Sequence, residues 1–233
     1  MYKDALDSSY RGYISFSHSI KGKRPVVLVV PEWWGITDYS RRRADMLADL
    51  GYFAVTLDFY GNGMNAETPA AAGALATPFY KDPQKAVDRF RAALDWIKTY
   101  PEADLSSIAA IGYCFGGSMV LNGAKLNLPF KGIVSFHGGL KGVPAKSGLK
   151  TKMLICHGGA DSFISQDEIN AFRTNLDSTG VSYQFISYPD ATHAFTNPDA
   201  TATGKKFGMP IQYNEAADKK SWEDMKQFLR TLF

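Results

Sequence analysis

Ile108-Ala109-Ala110-Ile111-Gly112-Tyr113-Cys114-Phe115-Gly116-Gly117 is the segment from which the architecture can be read. The apolar run Ile108 to Ile111 has the composition of a strand buried on both faces, and a helix is expected from Phe115 to about Ala124. Passing from one to the other takes a sharp, strained turn, with Gly112 and Gly116 where any side chain would strike neighbouring backbone. Cys114 then sits exposed at a helix N-terminus, where unpaired N–H groups favour an anion and a thiolate forms more easily.

Working outward, Val26 to Val30 is a continuous, mostly β-branched run and reads as a central parallel strand. After Pro31 to Gly35, Thr37 or Asp38 caps a helix to about Leu50, and Gly51 ends it before a strand over Tyr52 to Leu57. From Asp58 to Lys81 the Gly, Ala, Asn and Pro content predicts a long connection carrying at most one weak helix. Asp82-Pro83 opens a helix with Val87, Phe90, Leu94 and Ile97 on its inner face, ending before Pro101. Strands follow at Gly132 to Phe136, Met153 to Cys156 and Ser182 to Ser187. Ser165 and Glu168 form a capping box, and an amphipathic helix spans about Asn214 to Leu232. Strands alternating with helices give one α/β domain over residues 1–233, with a mostly parallel central sheet covered by helices on both faces and a site beyond the carboxyl ends of its strands.

Composition narrows the function classes. The 233 residues are 45% hydrophobic and 21% charged, ordinary for a chain with a buried core. The net charge of +3 is dispersed, and its one basic run, Arg41 to Arg43, reads as the solvated face of a helix, so no nucleic-acid partner is expected. Cys114 and Cys156 are too few for a disulfide framework and lack zinc-site spacing, so reduced thiols and no metal are expected. Neither an export signal nor a membrane-spanning stretch is visible. The expectation is a cytoplasmic protein, monomeric or homodimeric, acting on a small molecule; a removed signal would leave no trace.

The turn around Cys114 matches the nucleophile elbow G-x-S-x-G, with cysteine in place of serine. A thiol attack needs a base and a group to orient it. Asp161 and His193 follow in the chain order of that template, each in a loop after a strand. The remaining histidines do not fit: His18 lies near the N-terminal strand, and His137 and His157 read as strand-end or pocket-lining residues. Cys156, inside a strand with no motif, reads as structural. An oxyanion hole would use the backbone N–H groups of Phe115 and Trp33. Glu32, a carboxylate at the end of a buried strand, must find hydrogen bonds or shift its pKa.

Pro31-Glu32-Trp33-Trp34-Gly35, the elbow at 112–117, Asp161 and His193-Ala194-Phe195 together resemble the dienelactone hydrolase family over nearly the whole chain. That resemblance implies a single α/β-hydrolase domain with a Cys-His-Asp triad and no metal or organic cofactor. It also implies a glutamate, here Glu32, that contacts the resting thiol until substrate displaces it. One departure stands out. Members acting on dienelactone hold its carboxylate with two arginines, but Asn197 occupies one of those places, and between Phe59 and Asp88 only Lys81 and Lys85 are basic. Trp34, Tyr60, Phe79, Tyr80, Tyr113 and Phe195 are the candidates for an apolar substrate pocket. The expected reaction is cleavage of a carboxylic ester or lactone through an acyl-enzyme. Hydrolysis of a thioester, peptide or phosphotriester, and ligand binding without turnover, are the alternatives.

Overall fold

Continuous apolar strands need cover on both faces, and here helices supply it. The computed structural model describes residues 1–4 and 8–233. Its elements in chain order are β1 (Tyr2–Lys3), β2 (Ser9–Tyr10), β3 (Tyr13–Ser15), β4 (Arg24–Val30), α1 (Asp38–Asp49), β5 (Phe53–Thr56), α2 (Pro69–Lys81), α3 (Gln84–Ile97), β6 (Ala103–Tyr113), α4 (Phe115–Lys125), β7 (Gly132–Phe136), β8 (Lys152–Gly158), α5 (Gln166–Thr179), β9 (Tyr183–Tyr188), α6 (Ala200–Phe207) and α7 (Glu215–Arg230). The pair β1 and β2 makes a separate ribbon, and the other strands form a seven-stranded sheet in the order β3-β5-β4-β6-β7-β8-β9. Only β3 on β5 is antiparallel within it. The mostly parallel α/β sheet expected from the sequence is therefore present.

Side-chain alternation divides the core. On β4, Val26, Leu28 and Val30 face a layer that includes Phe90 of α3, Met119 of α4 and Leu176 of α5. Val27 and Val29 face the opposite layer, with Leu47 of α1 and Met225 of α7. All 11 residues of α4 are buried, so the helix that follows Cys114 is gripped along its length. Cys156 lies in the second layer, where burial pushes its thiol up to about 12, as befits an inert core residue.

The structure departs from the sequence reading in several places. The connection 58–81 holds a full helix, α2, started by Thr68, whose side chain accepts from Ala71 N, and by Pro69 at the first position. Strand β6 starts at Ala103 rather than Ile108, because the chain pairs with Arg24 and Pro25 before a register shift. The ribbon β1–β2 and strand β3 have too few residues for a periodic signal. Among the described residues no helix is long and apolar enough to cross a membrane.

Arg43 corrects the reading of 41–43 as a solvated face. It is 5% exposed, and its guanidinium pairs with Asp218 of α7 and donates to Thr196 O at 2.8 Å. It also stacks over Tyr39 and Trp222. The physical reason is helix geometry: Tyr39, Arg43 and Leu47 recur every fourth residue and share the inner stripe of α1. Arg43→Ala would leave the buried Thr196 carbonyl without its donor and Asp218 with the Tyr213 hydroxyl in place of a charged partner. The expected loss is roughly 3–5 kcal/mol in urea unfolding, with Arg43→Ala/Asp218→Ala costing less than the sum of the single changes.

Candidate active site

The elbow is as tight as its glycines require. A Cβ on Gly112 would run into the Gly116 carbonyl, and one on Gly116 into the carbonyls of Val30 and Pro31. Cys114 takes φ 52° and ψ −115°, a left-handed backbone that a non-glycine residue adopts only when its surroundings impose it. Phe115 begins α4, and neither its N–H nor that of Trp33 has a hydrogen-bond partner within the described residues.

Loops after three different strands bring the remaining groups to the sulfur. Cys114 Sγ lies 3.0 Å from His193 Nε2, and His193 Nδ1 lies 2.8 Å from Asp161 Oδ2. Asp161 is held in turn by the Phe163 N–H on its other oxygen, at 2.9 Å. Burial works against charge on His193, but the facing Cys114 sulfur and the Asp161 carboxylate outweigh it and push the imidazole up to about 10. Glu32 is 4% exposed, and its carboxylate accepts from Asn197 Nδ2 at 2.7 Å. Burial raises it to about 7 against the opposing pull of that hydrogen bond and of His193 and Arg43. The sulfur's hydrogen-bond partner is His193 and that of Glu32 is Asn197, rather than each other.

Cys114, His193, Glu32 and Asn197 open onto one cavity of about 500 Å³. Trp33, Trp34 and Tyr80 line it too, but four of the aromatic candidates do not. Tyr113 and Phe195 are fully buried beneath the site, stacked on Phe136 and against His137. Strand alternation explains Tyr113, which shares the α1/α7 side of β6 with Ile111. Phe79 packs behind Phe115, and Tyr60 is half-buried with its hydroxyl donating to Trp33 O at 2.9 Å. The sequence reading missed Phe163 and Ile164 after Asp161, and the wall made by α6 and the segment 208–211. Helix α6 carries little signal, being rich in Ala, Thr and Lys with an internal glycine; its clearest mark is Gly208, left-handed at its end. A second cavity lies against the same segment, so Gly208, Met209, Pro210 and Ile211 form a wall with space on both sides.

His137 and His157 also part ways. His157 is buried and pushed down by that burial. His137 lies off the cavity, with its ring nitrogens bonded to Cys114 N and Thr196 Oγ1. Among the described residues no group of three or more His, Cys, Asp and Glu side chains is arranged to hold a metal ion.

The profile of the dienelactone hydrolase family matches residues 10–233. A protein of Aquifex aeolicus (strain VF5), named as a candidate carboxymethylenebutenolidase, is 31% identical over 202 residues, covering 80% of this chain and 82% of its own. Among solved structures, a dienelactone hydrolase-like promiscuous phosphotriesterase, P91, from metagenomic libraries is similar at a TM-score of 0.90 and 32% identity. That match covers 100% of this chain and 96% of P91. An esterase of Thermogutta terrifontis, 18% identical with a TM-score of 0.68 over 99% of this chain and 92% of its own, shares the fold.

The raised Glu32 carboxyl has a consequence for stability. The folded chain binds that proton more tightly than a free carboxyl does, so ionisation penalises the fold as pH rises from 4.5 towards 7 and not below. The difference corresponds to about 3 kcal/mol. Glu32→Gln removes the penalty. Urea unfolding should show the variant more stable than wild type at pH 8, with the gap closing as pH falls to 4.5; a gap independent of pH would contradict a buried ionisable Glu32.

Proposed function

The chain belongs to the dienelactone hydrolase family, and from that premise we propose that it hydrolyses uncharged carboxylic esters or lactones through a Cys114 thioester intermediate. The observation carrying this reading is the line from Cys114 Sγ through His193 to Asp161, at 3.0 and 2.8 Å, opening onto an apolar cavity. In the first half-reaction the sulfur lone pair forms a C–S bond to the carbonyl carbon while His193 Nε2 holds the thiol proton. The carbonyl electrons move to oxygen, where the N–H groups of Phe115 and Trp33 are the donors assigned to the oxyanion. Collapse breaks the C–O bond, and the leaving alkoxide takes the proton from Nε2. Water then attacks the thioester, passes its proton to Nε2 and yields the acid; the C–S electrons return to sulfur. Asp161 keeps the imidazole in orientation throughout.

Glu32 is assigned proton exchange with Cys114. Supporting this are its place on the same cavity and a carboxyl that ionises near neutral pH. Selection for neutral substrates rests on the cavity lining, which among the described residues contains no lysine or arginine and does contain Glu32. A substrate carboxylate would meet a second carboxyl and find no two-point cation. A neutral phosphotriester is the second reading, favoured by the same lining without lysine or arginine and by the similarity to P91. A reducing cytoplasm suits a chain whose cysteines, Cys114 and Cys156, are both unpaired.

Two measurements test the proposal. Cys114→Ala is expected to lower kcat for a p-nitrophenyl ester by about 10⁴ or more with unchanged circular dichroism, and Asp161→Asn with His193→Ala to be strongly non-additive. Activity within tenfold of wild type in Cys114→Ala would remove the nucleophile assignment. Comparing dienelactone with a neutral lactone of similar size, kcat/KM is expected to favour the neutral one by roughly tenfold or more, the scale of one missing charge-assisted contact. Preference for the anion would overturn the specificity and leave the triad standing.

A further inference from the structure

His137 follows β7 and is 1% exposed, away from the cavity. Its backbone is left-handed at φ 40°, a conformation that a non-glycine residue keeps only where its surroundings impose it. Its N–H donates to Cys156 O at 2.8 Å, which fixes it to β8. The imidazole then reaches in two directions. Nδ1 accepts from the backbone N–H of Cys114 at 3.1 Å, an N–H that also meets Phe136 O at 3.0 Å. Nε2 lies 2.7 Å from Thr196 Oγ1, and that hydroxyl lies 2.6 Å from the Tyr39 hydroxyl. Thr196 belongs to the loop that carries His193 and Asn197, and its carbonyl accepts from Arg43 at 2.8 Å.

We propose that His137 is a positioning residue, a brace between the Cys114 turn and the His193 loop that sets the distance from sulfur to base. The inference rests on the reading of Cys114 and His193 as nucleophile and base. Accepting at Nδ1 places the ring proton on Nε2, so the imidazole must be neutral to hold both ends. Burial keeps it neutral by pushing it well below the ordinary value, and the nearby His193 and Arg43 act in the same direction. The brace engages the Cys114 N–H and so leaves oxyanion binding to Phe115 and Trp33. Its ring meets His193 edge to face at 5.4 Å, without a hydrogen bond, so it acts through the backbone and Thr196 and not on the reacting atoms. Catalysis is sensitive to such a device, because a displacement of about 1 Å can cost about a hundredfold in rate.

The test uses Thr196→Val, which removes one hydroxyl at constant shape, with His137→Asn and His137→Leu. Asparagine tolerates a positive φ and offers an acceptor near the place of Nδ1, so it should keep the Cys114 end of the brace and lose the Thr196 end. Each variant is measured for kcat and KM on a p-nitrophenyl ester and for the rate of Cys114 alkylation by iodoacetamide at pH 7, with Cys114→Ala as the blank. Expected are kcat falling about tenfold in Thr196→Val and His137→Asn and about a hundredfold in His137→Leu, KM within about threefold, and alkylation slowed in the same order. Should His137→Leu not fold, Thr196→Val and His137→Asn decide the matter. Unchanged kcat in both, an effect on KM alone, or a fall in kcat with alkylation unaltered would each overturn the brace. If the wild type turns over no ester, the functional reading fails separately, and the alkylation series still decides whether His137 positions the thiol.

Discussion

The site depends on the closeness with which α4 approaches the sheet. At Gly112 and Gly116 backbone meets backbone with no room for a Cβ, and this contact throws Cys114 out of the strand with a left-handed φ of 52°. Strain of that kind persists only where the surroundings over-determine it, at a cost on the order of 1–3 kcal/mol. Here the restoring force is the burial of every residue of α4, together with β6 clamped between β4 and β7. A helix less deeply packed could slide along its axis and relax the turn.

From that fixed point the loops need only deliver side chains. Asp161 is held on one oxygen by a backbone N–H and faces His193 with the other, so its geometry is determined from two sides. Glu32 is buried with the Asn197 amide as its donor, and burial brings its ionisation to about pH 7. Two carboxyl groups on the loops after β4 and β8 thus receive different environments, which is what the separate roles proposed for them require.

The parallel strands and the chain order of Cys114, Asp161 and His193, which the fold brings into hydrogen-bond reach of one another, were legible because they rest on local signals: β-branched runs, a glycine-flanked turn, and capping residues before helices. What stayed hidden depends on partners distant in the chain. Arg43 reads as one of three adjacent surface arginines until Asp218 and Thr196 are seen around it. Tyr113 and Phe195 look like pocket residues because they lie close in sequence to Cys114 and His193, yet strand alternation and the His137 ring turn them into the core. His137 shows no motif, because both of its bonds join segments that only the fold brings together. Helix α6 is weak by propensity and is held by what it covers, so periodicity does not reveal it.

The wall formed by α6 and residues 208–211 carries none of the groups assigned to bond making, and it has open space on its far side. Cys114, Asp161 and His193 are anchored at the ends of the sheet's strands, while part of the cavity's shape belongs to a later stretch of chain. Insertions or substitutions in that stretch can remodel what is admitted without disturbing the turn at Cys114. Such a division separates what one scaffold admits from the framework that holds its reactive end.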